Sequence, residues 1–195
     1  MNLANKLTLM RVILVPFFVA FMLIDAIPLN YLWALLVFAI ASITDMLDGK
    51  IARKYNLVTD FGKFADPLAD KLLTTVALIY MMRDGVCSPV VLCIILAREF
   101  AVSGLRMVAA GAKDGKVIAA NMWGKVKTVL QMLSIIFYFF GMSIASMSAT
   151  GAEQGVRQIL VTSISMVLCW LVAAVTAISG IKYLWDNRSF INTAK

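Results

Sequence analysis

Long apolar runs recur from near the start of this chain to near its end, each broken by a short polar stretch. Hydrophobic residues fill 62% of the 195 positions and charged ones only 15%. Soluble domains carry about 45–50% apolar and about 25% charged residues, so a single aqueous core does not account for the pattern. The runs are therefore read as membrane spans. Each crossing needs about 20 residues, and the polar punctuation puts spans near residues 7–25, 31–49, 65–83, 86–107, 125–146 and 158–182. The expected fold is an all-α integral membrane protein of six transmembrane helices. It forms one domain over residues 1–195, with a short N-terminal interfacial segment at about residues 1–6. Asp25–Asn30 and Arg83–Ser88 hold Pro or Gly and read as short turns. Ser143–Arg157, rich in Ser, Gly and Thr, reads as a longer outer loop. The first run lacks the small-residue cleavage pattern of a secretory signal and is expected to stay as a span.

The charge distribution orients this expectation. With the N-terminus in the cytoplasm, only Arg83 and Arg157 of the 18 lysines and arginines fall outside. The positive-inside rule then places both termini in the cytoplasm of a cell bounded by this inner or plasma membrane. The net charge of +7 gathers on one face, where it suits anionic lipid headgroups. Because the cations flank spans and form no separate basic surface, nucleic acid is not an expected partner. The uninterrupted runs Tyr31–Ile43, Leu72–Met82 and Val86–Ala97 fall short of about 18 residues. Their helices must continue into charged sequence, which implies a polar cavity open to the cytoplasmic side.

Histidine is absent, which excludes imidazole bases and His-containing zinc sites. Cys87, Cys93 and Cys169 have no paired spacing, so neither a disulfide framework nor a metal cluster is expected, and they read as core or lipid-facing residues. Chemistry falls to carboxylates, cations and metals. In DMLDGKIAR, helical spacing sets Asp45, Asp48, Gly49 and Ala52 on one stripe, and in FGKFADPLAD Gly62, Asp66 and Asp70 recur every four residues. Pro67 fits if its helix starts only a few residues earlier. Four of the 11 acidic residues occupy these stripes. Packed so closely, carboxylates need counter-cations, and an oxygen-only ligand set suits two hard divalent ions such as Mg²⁺ or Mn²⁺. The small residues leave room for a ligand close to the backbone. Taken singly, Gly49 or Ala52 would pass as a helix-packing contact; the joint pattern points to a site.

That pattern resembles the signature of the CDP-alcohol phosphotransferase family, Asp-x-x-Asp-Gly-x-x-Ala-Arg, eight residues, then Gly-x-x-x-Asp-x-x-x-Asp. It is matched in full at Asp45, Asp48, Gly49, Ala52, Arg53, Gly62, Asp66 and Asp70. The segments NKLTLMRVILVPFF, AREFAVSGLRMVAA and VIAANMWGKVKTVLQM resemble the members of that family that act on sn-glycerol 3-phosphate. The resemblance implies an enzyme of six helices, commonly a homodimer, that moves the phosphatidyl group from CDP-diacylglycerol to the primary hydroxyl of sn-glycerol 3-phosphate and releases CMP. It implies that Asp45, Asp48, Asp66 and Asp70 bind a two-metal centre, with Asp70 also the base, and that Asp48, Gly49, Ala52, Arg53 and Gly62 lie at the cytidine diphosphate.

The acceptor brings a phosphate that needs cations of its own. Arg98 and Arg106 are two helical turns apart on similar faces and suit bidentate phosphate contact. Lys125 and Lys127 are further candidates, with Lys182 a weaker one, although lysines at the end of a span are also expected from topology. Asn5, Thr8 and Arg11 share a helical face and are candidates to support the nucleotide. Two other readings stay open on the acids alone: the same chemistry with inositol phosphate, serine or phosphatidylglycerol as acceptor, and a cation transporter using the acids as its ion path.

Overall fold

In the computed structural model the described residues are 3–24, 26–55, 60–111, 122–147 and 151–188, and among them the chain forms six helices. They are α1 (Leu3–Leu23), α2 (Asn30–Tyr55), α3 (Asp60–Arg83), α4 (Pro89–Gly111), α5 (Met122–Ser146) and α6 (Gly151–Asp186). Helices start and stop where the sequence supplies caps. At the end of α3, Gly85 takes a left-handed φ of 77°, the Val86 amide bonds the Met81 carbonyl at 2.9 Å and the Gly85 amide bonds that of Met82 at 3.0 Å. This is a Schellman closure, which needs a residue tolerant of positive φ. Four residues later α4 opens on Pro89, with the Ser88 hydroxyl accepting from the Val90 amide at 3.3 Å.

Every helix outruns its apolar run. The helix α2 continues through Asp45–Arg53, and α3 is already helical at Asp60, so both charged stripes lie on continuous helix. Two expectations are corrected. Ser143–Arg157 is not a long loop: α5 runs to Ser146 and α6 begins at Gly151. Small polar residues do not stop a helix whose neighbours pack against it, and Glu153 in the first turn of α6 favours its start. Pro67 does not sit in a first turn either, since α3 begins seven residues before it. One carbonyl a turn earlier therefore lacks its helical amide donor, as also happens at Pro16 inside α1.

Among the described residues, α5 and α6 are long and apolar enough to cross a membrane. At 1.5 Å per residue, the 36 residues of α6 reach about 54 Å, well beyond a hydrocarbon core of about 30 Å. The architecture is all-helical and consistent with a membrane protein, and large apolar side chains such as Phe100, Ile181 and Trp185 point outward.

Inside, α1 packs on α2 and α3, α5 on α2, α3 and α6, and α4 on α3 and α6. Cohesion in such a bundle comes from close packing and internal hydrogen bonds. At one end, Phe18, Tyr31, Tyr80, Tyr138 and Phe139 form an aromatic cluster with ring centres 5.2–6.2 Å apart. Its polar atoms converge on Asp84, which accepts from Tyr138 at 2.6 Å and Tyr31 at 3.1 Å and pairs with Arg83 at 2.9 Å. Arg83 in turn donates to the Met22 carbonyl at 2.6 Å. This knot ties α1, α2, α3 and α5 together, and the charged stripes lie toward the opposite end of α2 and α3. Cys87 and Cys169 are buried and Cys93 faces outward, all three as free thiols.

Candidate active site

At the charged end, α3, α4 and α5 bring Lys71, Arg98, Glu99, Ser103, Arg106 and Lys125 around a cavity of about 510 Å³. Helical periodicity explains the convergence. Arg98 and Arg106 lie eight residues apart on α4, and Lys71 is the residue after Asp70 on α3. The cavity thus begins one residue from the second acidic stripe.

Glu99 organises the charges. Its Oε1 accepts from Arg98 at 3.2 Å and from Lys127, and its Oε2 lies 3.6 Å from the Lys71 ammonium. Lys71 also donates to the Glu99 carbonyl at 3.2 Å and to the Ser103 hydroxyl. Arg98 is held from α6 as well, donating from Nη2 to the Ser179 hydroxyl at 3.2 Å. Its stem passes so close to Gly180 that a Cβ there would lie 2.9 Å from Arg98 Cγ, and one on Gly124 would lie 3.0 Å from Nη2. Only glycine leaves this slot open. The third nitrogen, Nε, is buried and has no acceptor among the described residues, although the Arg98 side chain is only 10% exposed. Arg106 lies over the Tyr183 ring at 5.6 Å and donates Nε to the Tyr183 hydroxyl at 3.2 Å. Neither Arg106 nor Lys125 has a carboxylate partner among the described residues.

Of the cations expected at an acceptor phosphate, the structure brings Arg98, Arg106 and Lys125 to this cavity. Lys127 is nearly fully buried and lines an adjoining cavity of about 50 Å³ with Lys71, Glu99 and Gln131. Lys182 is exposed on α6 and is not among the residues lining either space. Arg11 is almost fully buried on α1. The backbones of Asn5, Thr8, Asp45, Asp48, Gly49, Ala52, Arg53, Gly62, Asp66 and Asp70 are helical, and their side chains lie outside the described residues. Among the described residues no group of three or more His, Cys, Asp or Glu stands close enough to hold a metal ion. Sequence reasoning missed Glu99, Lys71, Ser103 and Ser179, together with the slot formed by Gly124 and Gly180. Glu99 had a usable signal, an acid inside the otherwise apolar CIILAREFAV, because such a residue is a functional candidate by default.

A family model described as CDP-alcohol phosphatidyltransferase matches residues 1–178. The chain is 38% identical to a protein of Bacillus subtilis (strain 168) named CDP-diacylglycerol–glycerol-3-phosphate 3-phosphatidyltransferase, over 99% of this chain and 98% of the relative. Proteins of the same name are 40% identical in Rickettsia felis, over 93% of each chain, and 38% identical in Escherichia coli (strain K12), over 69% of this chain and 74% of the relative.

Proposed function

The chain belongs to the CDP-alcohol phosphatidyltransferase family, and from that premise we propose that it transfers the phosphatidyl group of CDP-diacylglycerol to the primary hydroxyl of sn-glycerol 3-phosphate, releasing CMP. The observation that carries the choice of acceptor is the cavity at the charged end. Four cations line it: Lys71 and Arg98 pair with Glu99, while Arg106 and Lys125 have no carboxylate partner among the described residues. A phosphate dianion satisfies these groups more fully than serine, whose one carboxylate is offset by its own ammonium, and among phosphorylated acceptors the relatives' names favour glycerol 3-phosphate.

In this reading Arg98, Arg106 and Lys125 hold the acceptor phosphate, with Lys127 acting on the same charges through Glu99. Holding that phosphate away from the reacting hydroxyl converts an encounter of two small molecules into a positioned attack. Asp70 takes the hydroxyl proton as the new O–P bond forms and the P–O bond to CMP breaks, so CMP departs with the electron pair. Asp48, Gly49, Ala52, Arg53 and Gly62, with Asn5 and Thr8, flank the cytidine diphosphate. Asp45 and Asp48 on α2 and Asp66 and Asp70 on α3 form a donor set of hard oxygens without His or Cys, which fits two divalent cations, Mg²⁺ or Mn²⁺. Such ions, when bound, neutralise the diphosphate and make CMP a better leaving group.

The same reading takes residues 1–195 as one membrane domain whose six helices all cross the bilayer. The termini and the cavity then face the cytoplasm, supported by the placement of all but two of the 18 basic residues. Homodimerisation, implied by the family resemblance, is tested by native mass measurement in detergent. The acceptor is tested by supplying purified protein, CDP-diacylglycerol and Mg²⁺ or Mn²⁺ with one alcohol at a time and measuring CMP. Release with glycerol 3-phosphate supports the reading; release only with inositol phosphate, serine or phosphatidylglycerol rejects it.

A further inference from the structure

Among the described residues Glu99 is the only carboxylate lining this cavity, whose other charged groups are cations. By charge alone it opposes the ligand, since a negative group beside an incoming phosphate weakens the field that attracts it. Its contacts give a different account. Through one side chain and its own carbonyl it gathers Lys71 from α3, Arg98 from its own helix and Lys127 from α5. Like charges that close repel, and without a central anion the three cations would spread, taking the facing helices with them. The contacts are also distributed unevenly. Arg98 spends Nη1 on Glu99 and Nη2 on Ser179, so its guanidinium plane is fixed from both sides. A planar donor fork held in one orientation is what bidentate phosphate recognition requires. Lys71 is fixed by Glu99 and Ser103, and because it follows Asp70 the same network sets where that acidic stripe stands relative to α4.

We infer that Glu99 is a positioning residue for the acceptor: it presets the cations that take the phosphate and locks them to the helix carrying Asp66 and Asp70. It does this without contacting the acceptor itself. The inference rests on the reading of this cavity as the acceptor-phosphate site. Loss of the carboxylate therefore weakens phosphate binding even though it makes the cavity more positive, the reverse of what a simple field argument predicts.

The experiment compares the parent protein, Glu99→Gln, the paired variant Glu99→Gln/Lys127→Met, which removes one charge of each sign, and Arg106→Gln. Each is assayed by CMP release for its KM for glycerol 3-phosphate, its kcat, its KM for CDP-diacylglycerol and the Ki of inorganic phosphate as a competitor. In Glu99→Gln the KM for glycerol 3-phosphate and the Ki of phosphate are both expected to rise roughly tenfold, the scale on which supporting residues act. Its KM for CDP-diacylglycerol is expected to stay within about threefold, since the nucleotide site does not touch Glu99, and its kcat is expected to fall by less than the KM for glycerol 3-phosphate rises. The paired variant keeps both increases, and it carries the test alone if the single change does not fold. Tighter or unchanged phosphate inhibition overturns the inference, as does a KM restored to the parent value in the paired variant, which would reduce Glu99 to a counter-charge for Lys127. A raised KM with unchanged phosphate Ki also overturns it, because Glu99 would then touch the glycerol moiety. Arg106→Gln separates the two levels: if it leaves the KM for glycerol 3-phosphate unchanged, the reading of the cavity fails, and if it raises KM while Glu99→Gln does not, only the inference fails.

Discussion

Gly180 sits opposite Arg98 and offers a perturbation that removes no charge. In Gly180→Ala the new Cβ would lie 2.9 Å from Arg98 Cγ and 3.5 Å from Arg98 Cβ. Carbon atoms pack best at about 3.5–4.0 Å, so the overlap is about 0.6 Å or more. The atom struck is in the stem, and bending a flexible tip does not relieve it. Either α6 backs away from α4 or the Arg98 side chain leaves its slot, and on the far side Gly124 already lies against its guanidinium. Leaving the slot breaks the bonds to Ser179 and Glu99, and hydrogen bonds to charged groups contribute about 1.5–3 kcal/mol. If the acceptor phosphate loses one such contact, about 1.4–2.8 kcal/mol, its KM rises about 10- to 100-fold. Overpacking should also cost about 1–3 kcal/mol of stability. The assay varies glycerol 3-phosphate at fixed CDP-diacylglycerol, with thermal unfolding in detergent followed in parallel. Gly104→Ala is the control: nothing lies within 4 Å of a Cβ there, so KM should not rise and stability should not fall. A folded Gly180→Ala protein whose KM for glycerol 3-phosphate stays within twofold of the parent would refute the assignment of Arg98 to the acceptor.

Other consequences can be measured separately. Asp45→Asn and Asp66→Asn should each lower turnover by at least about a hundredfold while the protein still inserts and folds, because a metal centre supplies several kcal/mol of transition-state stabilisation; near-normal CMP release from both would contradict the metal assignment. Chelation with EDTA should abolish CMP release, with recovery on adding Mg²⁺ or Mn²⁺, and activity persisting through chelation would argue against the cations. Asp84→Asn removes the charge on which Tyr138, Tyr31 and Arg83 converge. It should cost about 1.5–3 kcal/mol of stability, read as a lower melting temperature, while the KM for glycerol 3-phosphate is unchanged because the knot lies at the far end of the bundle. Gly141→Ala would place a Cβ 2.8 Å from both Val161 methyl carbons, so it should weaken α5–α6 packing by about 1–3 kcal/mol, again visible as a melting shift.

The helices were legible because hydropathy and helical period leave strong marks over 20 residues. Their ends were less so. Apolar content marks the part of a helix that suits lipid, whereas the helix itself continues wherever backbone bonding and neighbours allow, as α2 does through Asp45–Arg53. Ser143–Arg157 misled for a related reason: Ser, Gly and Thr lower helix propensity by only fractions of a kcal/mol to about 1 kcal/mol each, which the α5–α6 contact outweighs. The buried stripe of α6, Val172, Ala173, Thr176, Ser179, Gly180 and Tyr183, is likewise made mostly of small or polar residues. A reading that looks for large apolar side chains passes over it, yet these residues let α6 approach α4 closely enough to grip Arg98.

Arg98 and Glu99 are neighbours in the chain, and only the arginine was legible as part of a site. The phosphate of a substrate demands a cation, so an arginine in apolar sequence can be paired in thought with a ligand that is not there. A carboxylate demands cations too, but the ones that Glu99 uses come from residues 71, 98 and 127, on three different helices. No local spacing encodes that meeting; it exists only once α3, α4 and α5 are packed. The same holds for Gly124 and Gly180, which are 56 residues apart and matter only through a side chain that neither adjoins in sequence. Residues that touch a ligand carry the ligand's chemistry in their own type, whereas residues that hold those residues in place carry only the geometry of the fold. For this chain the first kind was readable from spacing, and the second required knowing which faces of α3, α4, α5 and α6 meet.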